Sequence, residues 1–157
     1  MTREYLELIK ADLLVEYQEE LCEESIESIH AASTPEEFIG LLAKFSAFLG
    51  YKCLPKAEWV KKWFNTTEYK ELAQANGVYF DGIHAVKNPP MPLVVMGDAE
   101  ITLLCDQPHM YKVTLQENSR CSIIALYSCF INVRQKDDSI CSVFHKSNLS
   151  RIKIRKI

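Results

Sequence analysis

Glycine is scarce in this chain: five residues in 157, each standing alone. No glycine-rich loop therefore joins a strand to a helix, so the sequence carries no motif for phosphate or nucleotide binding. No apolar run approaches the roughly 18–20 residues that a membrane-spanning helix requires. The opening Met1-Thr2-Arg3-Glu4-Tyr5-Leu6-Glu7-Leu8 has acidic residues where a secretion signal needs an uninterrupted apolar core, and it is not read as a signal peptide. A cytoplasmic protein with no membrane contact is the default expectation. Its six cysteines (Cys22, Cys53, Cys105, Cys121, Cys129 and Cys141) are then expected as reduced thiols rather than as a disulfide framework. Closely paired metal ligands are missing as well, since Cys105-x3-His109 and the later cysteines lack the spacing of a zinc site. No metal, no cofactor and no catalytic residue is assigned.

What is present is an ordinary globular balance, 48% apolar and 25% charged, enough for one domain or two small ones with a hydrophobic core. The charge is unevenly divided. Residues 1–77 hold 8 Lys and Arg against 14 Asp and Glu, whereas residues 78–157 hold 10 against 7. The net charge of −3 argues against generic nucleic-acid binding by the whole chain. Hydrophobic periodicity also changes near Gly77. This predicts an α+β protein, with a helical unit over residues 1–77 and an all-β repeat module over 78–157.

Thr2 is placed to cap a long first helix whose apolar residues run Tyr5, Leu6, Ile9, Leu13, Leu14, Tyr17, Leu21, Ile26 and Ile29. The phase slips between Leu21 and Glu24, which marks a kink or a second helix. Ser33-Thr34-Pro35-Glu36-Glu37 reads as a capping box with proline at the first helical position. The helix it opens carries Phe38, Leu41, Leu42, Phe45 and Phe48 on one side and should stop at Gly50, before a break at Leu54-Pro55. Two short helices follow, Lys56 to Phe64 and then Glu68 to Gln74, the second opened by Thr66 or Thr67. Beyond Gly77, residues 78–80 and 83–86 read as short strands around an Asp81-Gly82 turn, and Asn88-Pro89-Pro90 as a loop.

Six pentads then recur: Ala99–Leu103, Tyr111–Leu115, Cys121–Ala125, Cys129–Val133, Cys141–His145 and Ser150–Ile154. Their central residues, Ile101, Val113, Ile123, Ile131, Val143 and Ile152, are all β-branched. That favours extended backbone with alternate side chains on one dry face. Like residues at like places favour a short β-solenoid, in which equivalent positions stack. The uneven spacing of the centres (12, 10, 8, 12 and 9) fits an antiparallel meander or sandwich instead. At three faces per coil, six pentads would make about two coils and need caps. The helical half is available for one end. At the other, Arg151, Lys153, Arg155 and Lys156 discourage edge-to-edge growth.

The run Gly97-Asp98-Ala99-Glu100-Ile101-Thr102, the corners Glu117-Asn118-Ser119 and Asp138-Ser139, and the alternating strands resemble small uncharacterised bacterial proteins carried on mobile elements. Those proteins have a helical N-terminal part followed by variants of Asn-Ser-x-Val-x-Ala. The likeness covers residues 53–154, with the Asn-Ser corner intact only at 118–119. It implies a fold and an origin, but no activity.

Reactive side chains have structural explanations. Cys141 and His145, four residues apart on a strand, would stand about 13 Å apart at roughly 3.3 Å per residue. Asp81, Asp98, Asp106, Asp137 and Asp138 sit in turns, where Asp serves backbone hydrogen bonding. The first helix, with nine acids against two bases over residues 2–31, is the sharper feature. It suits a basic partner, either as a plain contact or by imitating nucleic-acid phosphates towards a host DNA-binding or defence protein. The reading is a non-enzymatic protein-binding scaffold. Its expected contact residues are Glu16, Glu20, Glu23, Glu27, Phe130 and Phe144, with outward positions such as Glu100, Thr102, Lys112, Thr114 and Lys153 lining the scaffold. Phe130, Ile124 and Phe144 fall on the outer parity, which suggests a covering helix or second subunit and hence a homo-oligomer. The alternative classes are an element-borne inhibitor and an enzyme with its site between helices and β-module. Nucleic acid is not an expected partner.

Overall fold

A computed structural model describes residues 1–48 and 55–157. Gly50, Cys53 and Leu54 lie outside the described residues, as does the side chain of Phe48. Thr2 caps the first helix, α1 (Arg3–Glu16), its hydroxyl accepting from the Tyr5 amide at 3.3 Å. The chain turns and restarts as α2 (Glu23–Ala31), so the slip near Leu21 is a break between two helices. Charge gives a reason. Glu16, Glu19 and Glu20 oppose the negative C-terminal end of a helix dipole, whereas Glu23 and Glu24 favour a new N-terminus. The C-terminus of α2 returns to α1, where the buried Lys10 ammonium donates to the His30 and Ala32 carbonyls at 3.1 and 3.0 Å.

The capping box forms at α3 (Pro35–Phe48): the Thr34 hydroxyl accepts from the Glu37 amide, and the Glu37 carboxylate accepts from the Ser33 and Thr34 amides. Two further helices, α4 (Ala57–Trp63) and α5 (Thr67–Ala75), fall where the periodicity puts them, with Thr66 capping the second.

Nine strands follow among the described residues: β1 (Val78–Tyr79), β2 (Ile83–Lys87), β3 (Leu93–Val95), β4 (Glu100–Cys105), β5 (Met110–Leu115), β6 (Arg120–Ala125), β7 (Phe130–Gln135), β8 (Ile140–Lys146) and β9 (Arg151–Lys156). Odd-numbered strands form one sheet and even-numbered strands the other, and every pairing is parallel. The module is a β-solenoid of about four turns. Each coil has two faces rather than the expected three. Residues 78–80 and 83–86 are therefore not partners across Asp81-Gly82. They pair in parallel with β3 and β4 in opposite sheets, and the turn between them is a coil corner.

The register also resolves the uneven spacing. Ile101, Cys121 and Cys141 stack in one column, and Leu103, Ile123 and Val143 in another, one coil being 20 residues. Ile101 and Ile123 occupy different inward positions, so the interval between them spans two columns. An irregularity after Ile123 sets Ile124 beside His145, making Phe144 an extra residue and the last coil 21 long. The corners Gly97, Glu117 and Asp137 stack 20 apart with φ of 63°, 60° and 54°.

Ile101, Val113, Ile123 and Ile131 are buried in the interior, with Ile152 packed against them; Val143, in the last coil, is 43% exposed. A second core joins the helices to the outer face of the odd-stranded sheet through Val78, Phe80, Val94 and Met96. The helices thus lie along a flank of the solenoid. Glu117 ties the two parts, its carboxylate accepting from the Gly97 amide at 2.7 Å and from the Ala57 amide, at the start of α4, at 3.2 Å. Gln116 adds a bond from its amide to the Pro55 carbonyl at 3.0 Å.

Candidate functional site

The two sheets present different outer faces. Helices cover the early strands of the odd sheet, and Thr114, expected in solvent, is buried there. Nothing among the described residues packs on the outer face of β2, β4, β6 and β8 to a comparable extent. Period-two alternation and the parallel register arrange that face in rows. One row is Ile83, Glu100, Arg120 and Ile140; the next is Ala85, Thr102, Ser122 and Ser142; the third holds Lys87, Leu104, Ile124 and His145. A floor of small residues thus lies between two rows of larger ones. A shallow groove of about 250 Å³ runs over it, lined by Ile83, Thr102, Arg120, Ser122, Ile140 and Ser142. Ile83 is 84% and Phe144 82% exposed.

The expected contact residues do not gather in one place. Phe144 lies in β8 of the even sheet, while Phe130, 36% exposed, lies in β7 of the odd sheet. Glu16 ends α1, Glu20 is in the connecting turn, and Glu23 and Glu27 are exposed on α2. The acidic residues therefore decorate a helical hairpin, not one straight rod.

The interior thiols and the Asp106 carboxylate pack or brace the coils. Cys105, Cys121 and Cys129 are buried in the interior, and burial with the neighbouring Cys129 and Asp106 pushes the Cys105 thiol up to about 12. Cys121, beside Cys141 in register, is raised by its hydrogen bond to that residue and by burial. A buried thiol raised in this way presents little thiolate for nucleophilic chemistry at neutral pH. Cys141 takes the inward register position beside Cys121, whereas the β8 irregularity sets His145 beside the outward Ile124. No group of three or more His, Cys, Asp or Glu residues suited to a metal occurs among the described residues. The turn aspartates hold corners. Asp106 accepts from Asn88 at 2.6 Å and pairs with Lys87 at 2.7 Å, while Asn88 accepts from the Tyr111 hydroxyl.

One polar cluster has no counterpart in the sequence reading. Asp12 accepts from the indoles of Trp59 and Trp63 at 2.8 and 2.6 Å and from Lys62 at 3.0 Å, tying α1 to α4. Burial raises its carboxyl, but the three hydrogen bonds outweigh this and hold it below the usual carboxylate range. A carboxyl that is more acidic folded than unfolded adds stability above the unfolded value, about pH 4, and loses it as pH falls through the folded value. Acid titration followed by tryptophan fluorescence should show a transition below about pH 4 that Asp12→Asn lacks. Identical profiles would rule the linkage out.

Comparison with family models, with curated proteins and with solved structures gives no match. The class that can be stated is the one the fold defines: a unit of five described helices followed by a two-sheeted parallel β-solenoid.

Proposed function

We propose that this protein is a non-enzymatic binding scaffold that docks another protein on the outer face of β2, β4, β6 and β8, with the acidic α1–α2 hairpin as a second contact. The carrying observation is the asymmetry of the two sheets. The early strands of one are covered by helices, while the other carries Ile83, Ile140 and Phe144 exposed around a floor of small side chains. Large apolar side chains exposed on a regular sheet face are what protein partners bury. The Glu100 and Arg120 side chains, 3.8 Å apart in the middle of the outer row, add a polar element that can select orientation.

Photo-crosslinking tests this reading. A benzophenone side chain at Thr102 should trap a discrete protein in cells, and one at Lys153 should not. Phe144→Asp with Ile140→Asp should abolish the product while leaving the circular dichroism spectrum unchanged. Crosslinks that are equal from the two positions, or that survive the double variant, would sink the proposal. Sedimentation at high micromolar concentration identifies the occupant. A dimer lost in the double variant makes it a second copy, and a monomer makes it a different chain.

A further inference from the structure

The cleft between the end of α3 and the outer face of the odd sheet is independent of that docking face, and we infer that it binds a small organic phosphate of about mononucleotide size. It encloses about 410 Å³, within the range of small-ligand sites. Its floor is set by register: Lys112 stands beside Asn132, and Thr114 beside Arg134. The walls are Ala47 at the end of α3, Met91 and Pro92 before β3, and His109 and Met110 at the start of β5.

Three features define the ligand. First, among the described residues the cleft lining contains two cations, Lys112 and Arg134, and no Asp or Glu. The adjoining strand continues the same rows with Lys153 beside Asn132 and Arg155 beside Arg134. A guanidinium and an ammonium on one floor match the several acceptor oxygens and double charge of a phosphate better than a single carboxylate. Second, Arg134 donates to the Ala47 carbonyl, which holds its guanidinium against the end wall. Third, the Asn132 side-chain oxygen is buried and without a hydrogen-bond partner. Buried acceptors are rarely left so, and rotation of this amide towards the cleft would let a hydroxyl or amino group on the ligand satisfy it. The Met91 sulfur accepts from the Lys112 amide at 3.0 Å, fixing that side chain at the wall. Met91, Pro92 and Met110 together offer a polarisable apolar surface for a planar ring.

Isothermal titration with ADP, inorganic pyrophosphate and adenosine tests the assignment. Wild-type protein should bind ADP saturably and pyrophosphate more weakly, and adenosine at least about tenfold more weakly than ADP, because the charge-assisted contacts are missing. Asn132→Asp replaces the acceptor with a like charge and should lower ADP affinity by about tenfold or more, and Lys112→Gln should lower it severalfold. Arg134 is left intact because it also holds the end of α3. Circular dichroism and thermal melting of both variants establish that they remain folded. Absence of saturable binding of both ADP and pyrophosphate by the wild type would overturn the inference. So would adenosine binding as well as ADP, or unchanged affinity in folded Asn132→Asp.

Discussion

Ile123→Ala should destabilise the protein by about 3 kcal/mol, whereas Val143→Ala, its neighbour in the same inward column, should cost less than about 1 kcal/mol. Both are branched aliphatic residues facing the solenoid interior in register, so intrinsic strand preference does not separate them. Burial does. Ile123 is closed in by coils on both sides, with Leu103 and Val143 as its register neighbours. Truncation there removes buried methylenes and leaves a cavity that close-packed rungs cannot collapse. Val143 is already 43% exposed, and truncating it takes away surface that water largely keeps. Urea denaturation of the two variants gives the comparison. Equal losses would mean that the last coil is as dry as the others, contrary to the exposure found for it.

Gly97→Val should be the most damaging change at a corner, at about 3 kcal/mol or more from combined strain and clash. Gly97 has φ of +63°, a left-handed conformation that β-branched residues resist. A side chain would also collide, because an added Cβ comes within 2.8 Å of the Ala57 Cβ and 2.9 Å of the Phe80 carbonyl oxygen. The collision pushes α4 away from the corner and strains the bond from the Gly97 amide to Glu117. Asn118→Val, at the next corner residue one coil on, avoids both penalties and serves as the control. A thermal midpoint lowered equally by the two substitutions would argue that the corner, not the helix contact, limits stability.

Helices and strands were legible because their signals are local. The capping box at Thr34 and Glu37, the cap at Thr66 and the alternation in every pentad act within a few residues. Parity was legible too: Ile101, Val113, Ile123, Ile131 and Ile152 all face the interior core. Register was not. Two inward positions in each strand carry similar aliphatic residues, so a shift of two preserves the pattern while moving a residue to the wrong column. The coil corners decide between those columns, through the stacked left-handed conformations of Gly97, Glu117 and Asp137, which Gly97 signals by residue type, Asp137 more weakly and Glu117 not at all.

The cleft and the bare sheet were hidden for a related reason. Lys112 and Asn132 are 20 residues apart in sequence and adjacent in space. The wall at Ala47 comes from a helix whose placement against the strands no local pattern encodes.

Residue order by itself determined where the backbone bends, which stretches coil or extend, and which side of each strand is dry, since these follow from short-range sterics and hydration. Tertiary packing alone decided how the rungs align, which sheet the helices cover and which cations share one floor. Those outcomes depend on long-range contacts that compete in energy, and only the assembled fold selects among them.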